Sequence, residues 1–146
     1  MAVPSIRLYN SLTQKAEPFV PLQQGKVGLY ACGVTVYDDS HLGHARAAFI
    51  FELLRELFQA HGFEVTYVRN ITDLDDKIIE RAREASKESG DSLKVACRKV
   101  ALRYLESYRS DLQSLNIPPP DKEPKATEHL DQMIHLIKGL VARDHA

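Results

Sequence analysis

The segment Gly25-Lys-Val-Gly-Leu-Tyr-Ala-Cys-Gly33 places β-branched and aromatic residues between glycines, a pattern that predicts a buried β-strand. The polar run Val34–His41 follows it and predicts a loop. The next segment, Gly43–Phe58, predicts an amphipathic helix because apolar residues recur there at spacings of three and four. These apolar positions are Ala47, Ile50, Phe51, Leu54, Leu57 and Phe58.

A second strand is predicted over Phe63–Ile71. Asp39 or Ser40 can cap the start of the intervening helix, and Gly62 supplies its C-terminal stop. Strand, helix and strand in this order form a βαβ unit, whose crossover is expected to be right-handed and whose strands are expected to be parallel. The predicted fold class is therefore α/β, with a parallel sheet and flanking helices.

The second half of the chain is predicted to be helical. One helix is expected from Asp73 to about Ser89, and a second over 93–115, where an apolar stripe recurs at helical spacing. The Pro-rich segment Ile117–Pro124 is not helix and predicts a stiff connector. Thr127 is expected to cap a last amphipathic helix, whose apolar positions are Leu130, Ile134, Ile137 and Val141.

The predicted sheet has few strands. A mean sheet has about five or six strands, whereas this sequence predicts two, with a third over Ser5–Tyr9 as an option. We therefore interpret the chain as the first part of a larger α/β domain.

Composition sets broad limits. The 146 residues are 44% hydrophobic and 27% charged, which excludes disordered, collagen-like and low-complexity classes. The net charge is −1, without a basic arm in either half, so charge gives no reason to expect nucleic acid. No apolar run approaches the roughly 18 residues of a membrane span, and the N-terminus lacks a signal-peptide core, so a cytosolic protein is predicted.

The turn between the first strand and its helix is the densest cluster of chemistry-bearing residues. His41 and His44 are three positions apart at a helix start, where free N–H groups and the helix dipole favour anions. Gly43 allows close approach of a ligand, and Thr35 and Tyr37 precede the turn at the ligand-binding edge. A phosphate site is one interpretation; a plain helix cap, or a metal site with Cys32, are the alternatives.

A second polar cluster follows the other strand. Asn70, Thr72 and Asp73 suit hydrogen bonding to a small substrate at the same sheet edge. The run Thr-Asp-Leu-Asp-Asp is equally typical of an ordinary helix N-terminus.

The two cysteines have different surroundings in the sequence. Cys97 lies in an apolar helical stripe, which predicts that it packs in the core, while Cys32 is either a buried small residue or a ligand.

Five blocks of sequence together resemble cysteinyl-tRNA synthetase, a class I aminoacyl-tRNA synthetase. They are Leu8–Thr13, Tyr30–Asp38, His41-Leu-Gly-His44, Tyr67–Ile78 and Pro120–His129. The third block matches the family motif His-Ile-Gly-His with Leu in place of Ile. The resemblance covers nearly the whole chain and implies a Rossmann-like domain that activates cysteine with ATP and transfers it to tRNA.

The resemblance also implies site residues. His41 and His44 would be catalytic and bind ATP phosphates, and Cys32 would be the first ligand of a zinc ion that holds the substrate thiolate. The ATP site would comprise Thr35, Tyr37, His41, Gly43 and His44, with Mg²⁺ accompanying ATP. The amino-acid site would comprise Gly33, Thr35, Asn70, Thr72 and Asp73.

The family's remaining zinc ligands and its Lys-Met-Ser-Lys-Ser-type loop have no counterpart in the sequence. We therefore expect an N-terminal catalytic portion over 1–116 and the start of a connective insertion over 117–146, inactive alone and belonging to a monomeric cytoplasmic enzyme. One alternative is the related ligase that joins cysteine to an amino-sugar inositol. Another is a non-catalytic nucleotide-binding module.

Overall fold

A computed structural model describes residues 6–146, and it begins with a separate β-hairpin. Strands β1 (Arg7–Asn10) and β2 (Lys15–Pro18) pair with each other in antiparallel fashion. The sequence also allowed a third strand of the parallel sheet over residues 5–9. That prediction is wrong for the described residues 6–9, because β1 pairs with β2 and not with the parallel sheet. Ser5 lies outside the described residues, and so does the first half, residues 1–5, of the N-terminal stretch 1–10 that is predicted to lack a signal-peptide core.

The predicted βαβ unit is confirmed. Strand β3 (Lys26–Ala31) leads into helix α1 (Leu42–Ala60), and strand β4 (Glu64–Arg69) follows. The two strands pair in parallel, from Lys26 opposite Glu64 to Ala31 opposite Arg69. Their carboxyl ends therefore meet at one edge of the sheet, which is the edge where open α/β sheets bind ligands.

The predicted Pro-rich connector contributes backbone to this sheet. Lys122 accepts a hydrogen bond from the Arg69 N–H at 3.1 Å and donates to the Tyr67 carbonyl at 3.2 Å. Ile71 continues the pairing by donating to Pro124 and accepting from Ala126. The segment 121–126 thus lies parallel to β4, on the side opposite β3.

Helix α1 begins differently from the sequence expectation. Its N-cap is His41, whose Nδ1 accepts the Gly43 N–H at 3.1 Å, so the prediction of Asp39 or Ser40 is wrong. An imidazole nitrogen supplies the acceptor that a helix start requires. The carboxylate of Asp39 instead accepts a hydrogen bond from the hydroxyl of Ser107, in the long helix that spans Leu93–Ser114.

Two long helices carry most of the core. Helix α2 (Asp76–Ser89) starts three residues later than predicted, because the Asp75 carboxylate caps it through the Lys77 N–H. Helix α3 (Leu93–Ser114) follows. Most of its predicted stripe is buried, although Leu93 and Leu115 are exposed. The core cluster comprises Val36, Ala48, Ile71, Ile78, Ala82, Ala96, Val100, Ala101, Tyr104, Leu105, Tyr108, Leu112 and Ile117.

The last helix is confirmed, but its predicted cap is wrong. A short 3-10 helix (Ala126–His129) precedes α4 (Leu130–Val141), whose N-cap is His129 rather than Thr127. Thr127 is instead hydrogen-bonded to Asp73. None of the helices formed by residues 6–146 is long and apolar enough to cross a membrane.

Candidate active site

The two strand ends are joined by continued backbone pairing. Beyond β4, the Thr72 N–H donates to Val34 at 3.0 Å and its carbonyl accepts from Val36 at 3.2 Å. Thr35 and Thr72 therefore stand opposite each other. The structure thus brings the two predicted polar clusters together, as parallel strand ends require.

Asn70 holds the two loops by its side chain. Its Oδ1 accepts hydrogen bonds from the Gly33 N–H at 2.8 Å and from the Tyr30 hydroxyl at 2.9 Å. Its Nδ2 donates to Thr72 Oγ1 at 3.3 Å. Because both ends of the amide are occupied by the protein, Asn70 positions the Gly33 loop.

Gly33 is packed directly against the backbone of Asn70. A Cβ on Gly33 would overlap the Asn70 carbonyl oxygen, so the loop requires glycine here. The neighbouring Cys32 thiol is exposed and contacts the Gly33 carbonyl at 3.7 Å. The sharp turn therefore presents Cys32 at the sheet edge.

His41 and His44 form a compact pair at the start of α1. Their rings stack with centroids 3.9 Å apart and planes inclined by 20°. His44 Nδ1 accepts the backbone N–H of His41 at 3.3 Å, while His41 Nδ1 accepts the backbone N–H of Gly43. The two side chains therefore form a capping box at the start of the helix. Burial, together with the charge of His41, lowers the pKa of His44 below its ordinary value. The pair of imidazoles therefore lies beside the positive end of a helix, where a proton on His44 is disfavoured.

Gly43 lies between the two histidines and is exposed. A Cβ at this position would come within 2.9 Å of the His41 ring atoms Cε1 and Nδ1. Glycine therefore leaves room for the His41 ring orientation that caps the helix.

The loop before α1 is fastened by residues that sequence reasoning missed. Arg81 on α2 pairs with Asp38 at 3.0 Å and donates to the Tyr104 hydroxyl at 2.7 Å. The ammonium group of Lys77 lies 4.9 Å from the centroid of the Tyr37 ring, a cation–π geometry. Arg81 follows buried Ile78 by three positions, and this helical spacing was the available signal that it faces the loop.

Asp73 is half-buried and already bonded within the chain. Its Oδ1 accepts the Thr127 N–H at 2.9 Å, and its Oδ2 accepts the Thr127 hydroxyl at 2.6 Å. The carboxylate therefore links the β4 loop to the 3-10 helix. Neither of these hydrogen bonds involves His41 or His44.

The fit to a metal ion is incomplete. Among residues 6–146, no group of three or more His, Cys, Asp or Glu side chains could hold a metal. The alternative metal site of Cys32 with His41 and His44 is therefore not formed by the described residues. Of the zinc ligands that the resemblance implies, Cys32 is the one that this sequence contains.

A parallel sheet whose first crossover helix begins with His-Leu-Gly-His, and whose neighbouring strand end carries Asn70 and Thr72, defines the Rossmann-like catalytic fold of a class I aminoacyl-tRNA synthetase. A family model for the tRNA synthetases class I (C) catalytic domain matches residues 18–146. The chain therefore belongs to this family.

Individual relatives agree with the family assignment. The chain is 48% identical over 141 residues to a cysteine–tRNA ligase of Legionella pneumophila, covering 97% of this chain and 29% of the relative. It is 48% identical over 136 residues to the same enzyme of Magnetococcus marinus, covering 93% and 26%. For Shewanella pealeana the identity is 46% over 141 residues, covering 97% and 29%. The chain thus spans less than a third of these curated relatives.

Proposed function

We propose that this chain forms the ATP- and cysteine-binding edge of a cysteine–tRNA ligase. The observation that carries the proposal is the juxtaposition of three features at one sheet edge: the stacked His41–His44 pair, the Cys32–Gly33 turn and the Asn70–Thr72 loop. The similarity to cysteine–tRNA ligases along nearly the whole chain supports this choice.

The reaction assigns separate roles to these residues. A carboxylate oxygen of cysteine attacks the α-phosphorus of ATP, and the bond to the bridging β-oxygen breaks, so that cysteinyl adenylate forms and pyrophosphate leaves. A hydroxyl of the terminal tRNA ribose then attacks the cysteinyl carbonyl carbon, and AMP leaves. His41 and His44 donate hydrogen bonds to the phosphates as negative charge develops, and Mg²⁺ accompanies ATP as part of the substrate.

Other residues shape the binding edge. Thr35, Tyr37 and the Gly43 backbone border the nucleotide, while Gly33 and Thr72 border cysteine. Asn70 and Asp73 position the loop, as their contacts within the chain support. Cys32 is proposed as one thiolate ligand of a zinc ion whose other ligands come from elsewhere in the polypeptide. Zinc would favour cysteine over serine because it binds thiolates strongly.

The proposal has two further parts. The connective insertion begins near Ile117, which would divide the chain into 1–116 and 117–146. The complete enzyme is monomeric and acts in the cytoplasm on cysteine, ATP and cysteine-specific tRNA. The amino-sugar ligase remains the second candidate enzyme, and a non-catalytic nucleotide-binding module the third; no contact of the described residues favours either.

Pyrophosphate exchange tests the assignment in the protein expressed from its complete reading frame. Cysteine-dependent exchange and charging of tRNA are expected, and His41→Asn or His44→Asn should lower exchange by about 10² or more. His61→Asn is the matched control, because His61 caps the opposite end of the same helix. Charging of an amino-sugar inositol instead of tRNA would overturn the proposal, and so would ATP binding without exchange.

A further inference from the structure

Residues 37–39 form the entry segment of helix α1, and few backbone hydrogen bonds hold it. Sheet pairing ends where the Val36 N–H donates to the Thr72 carbonyl, and helical bonding begins at the His41 carbonyl. Among the described residues 6–146, no backbone hydrogen bond joins 38–40 to another part of the chain. The entry segment is therefore held in place by its side chains.

Both ends of the entry segment contact the two long helices. Lys77 on α2 places its ammonium group 4.9 Å from the centroid of the Tyr37 ring. Ser107 on α3 donates its hydroxyl hydrogen to Asp39 Oδ1 at 3.2 Å. The first residue of the segment is therefore attached to one helix and the last residue to the other.

Arg81 joins the middle of the entry segment to both helices. Its Nη2 donates to Asp38 Oδ1 at 3.0 Å and to the Tyr104 hydroxyl at 2.7 Å, and its Nε donates to the same hydroxyl at 3.2 Å. Tyr104 is buried in the core, so its hydroxyl is a fixed point. Because a guanidinium group presents its donors in a rigid plane, it fixes the Asp38 carboxylate relative to Tyr104.

The anchoring side chains follow from helical spacing. Lys77 and Arg81 are four positions apart on α2, and Tyr104 and Ser107 are three positions apart on α3. Residues at these spacings share one face of a helix. One face of each helix therefore supplies two of the groups that hold the entry segment.

The exposure of the Arg81–Asp38 pair makes a purely stabilising role small. The two side chains are 44% and 51% exposed, and ion pairs of this kind contribute little to the free energy of unfolding. Asp38 lies only three residues before His41, the N-cap of α1. A displacement of about 1 Å at a reacting group can lower a rate by about 10²-fold. The same contact can therefore matter far more for a reaction than for folding.

We propose that Arg81 is a positioning residue for the histidine pair. By holding Asp38 against Tyr104, it fixes the direction in which the chain enters α1. This direction sets where the rings of His41 and His44 lie. The inference rests on the proposed function, because the positions of these rings affect a rate only if the imidazoles act on the ATP phosphates. It assigns the α2–α3 pair a task in adenylate formation besides building the core.

Pyrophosphate exchange by the protein expressed from its complete reading frame tests this role. Arg81→Met should lower kcat by about tenfold. The KM for cysteine should change by less than about twofold, because Asn70 and not Arg81 bonds the Gly33 loop. Arg81→Lys keeps a positive charge opposite Asp38 and should lose less than about threefold. An unchanged kcat in Arg81→Met, beside an active wild type, overturns the proposal.

Arg103→Met is the matched control. Arg103 lies over the same Tyr104 ring, 5.3 Å from its centroid, but in the described part of the chain it forms no ion pair or hydrogen bond with residues 37–39. Its removal should leave kcat unchanged.

A double variant tests whether Arg81 acts through Asp38. Asp38→Ala should lower kcat about as much as Arg81→Met does, and the two together should cost no more than about twofold beyond either alone, because they break the same contact. Losses that multiply in the double variant contradict positioning through this pair.

Hydrogen exchange followed by mass spectrometry gives a readout that needs no activity. Arg81→Met should speed exchange at the start of α1, where the Gly43 N–H is bonded to His41, by at least about fivefold. Exchange in α3 should stay constant, and Arg103→Met should change neither. Unchanged exchange at the start of α1, or acceleration along the whole chain, overturns the proposal. A wild type without pyrophosphate exchange refutes the proposed function and the catalytic part of this inference, whereas hydrogen exchange still decides whether Arg81 holds the helix start.

Discussion

The Asn70 side chain and the Gly33 backbone are joined across the two strand ends by a 2.8 Å hydrogen bond. The same Asn70 oxygen accepts from Tyr30, and its amide group donates to Thr72. One side chain therefore ties the cysteine-bearing turn to the following strand. These hydrogen bonds fix the two loops of the proposed binding edge relative to each other in the absence of a ligand.

Asn70→Ala should lower the free energy of unfolding by about 2 kcal/mol, because it removes these bonds and leaves the half-buried Gly33 N–H unpaired. Thr72→Val is the matched comparison, since it removes only the 3.3 Å bond to Asn70 and should cost less than about 1 kcal/mol. Urea unfolding followed by circular dichroism measures both. Equal losses for the two variants would contradict the dominant role of Asn70.

Gly33→Ala should destabilise the chain by about 3 kcal/mol or more, because the new Cβ overlaps the Asn70 carbonyl and the loops must separate. Gly28→Ala is the control within the same segment: a Cβ there meets nothing within 4 Å. That variant should stay within about 1 kcal/mol of wild type or gain slightly, since glycine weakens strand interiors. Thermal unfolding distinguishes the two, and similar midpoints would refute the steric argument.

The main elements were predictable because their signals are local. Helical spacing and strand composition indicate β3, α1 and β4, and the parallel pairing follows from their order. The pairing of 121–126 with β4 has no such signal, because Pro-rich composition argues against strands and the partner lies about fifty residues away in sequence. The α1 cap was missed because an imidazole took the place that Asp or Ser usually fills.

In the candidate site, too, the features with local sequence signals were predictable and the contacts between distant residues were not. The histidine turn and the Asn70–Thr72 loop were predicted to share one sheet edge, and the structure places both there. The contacts of individual side chains could not be predicted, because their partners are distant in sequence. Asp73 is bonded to Thr127, and Arg69 is buried beside Tyr108, although neither partner is near in sequence. Alternation along a strand indicates two faces but does not say which one an arginine occupies.

The lowered pKa of His44 makes stability depend on pH. The folded chain binds a proton at His44 less tightly than the unfolded chain does. This contribution is therefore fully present above the ordinary histidine pKa of about 6.5 and is lost as pH falls through that value toward the folded-state pKa. An NMR titration of the ring carbons, assigned with His44→Asn, should place the His44 pKa below its ordinary value.

His41→Asn should move the pKa of His44 back up, because it removes both a neighbouring charge and part of the burial. Asparagine is a good N-cap, so the helix start should persist. The readout is the same NMR titration. A His44 pKa that stays constant or falls further in this variant would show that the stacked pair is not its cause.

The Asp73–Thr127 contact should appear as a coupling energy. In a double-mutant cycle, Asp73→Ala and Thr127→Val should be non-additive by about 1 kcal/mol, because the charged carboxylate accepts the Thr127 hydroxyl at 2.6 Å. The cycle reports the hydroxyl bond alone, since valine keeps the backbone N–H that also donates to Asp73. Asp75→Ala is the control partner: Asp75 lies two residues away but caps α2 through Lys77, so it should combine additively with Thr127→Val. Unfolding in urea measures every corner, and coupling to Asp75 as large as that to Asp73 would mean that the effect is general electrostatics rather than this contact.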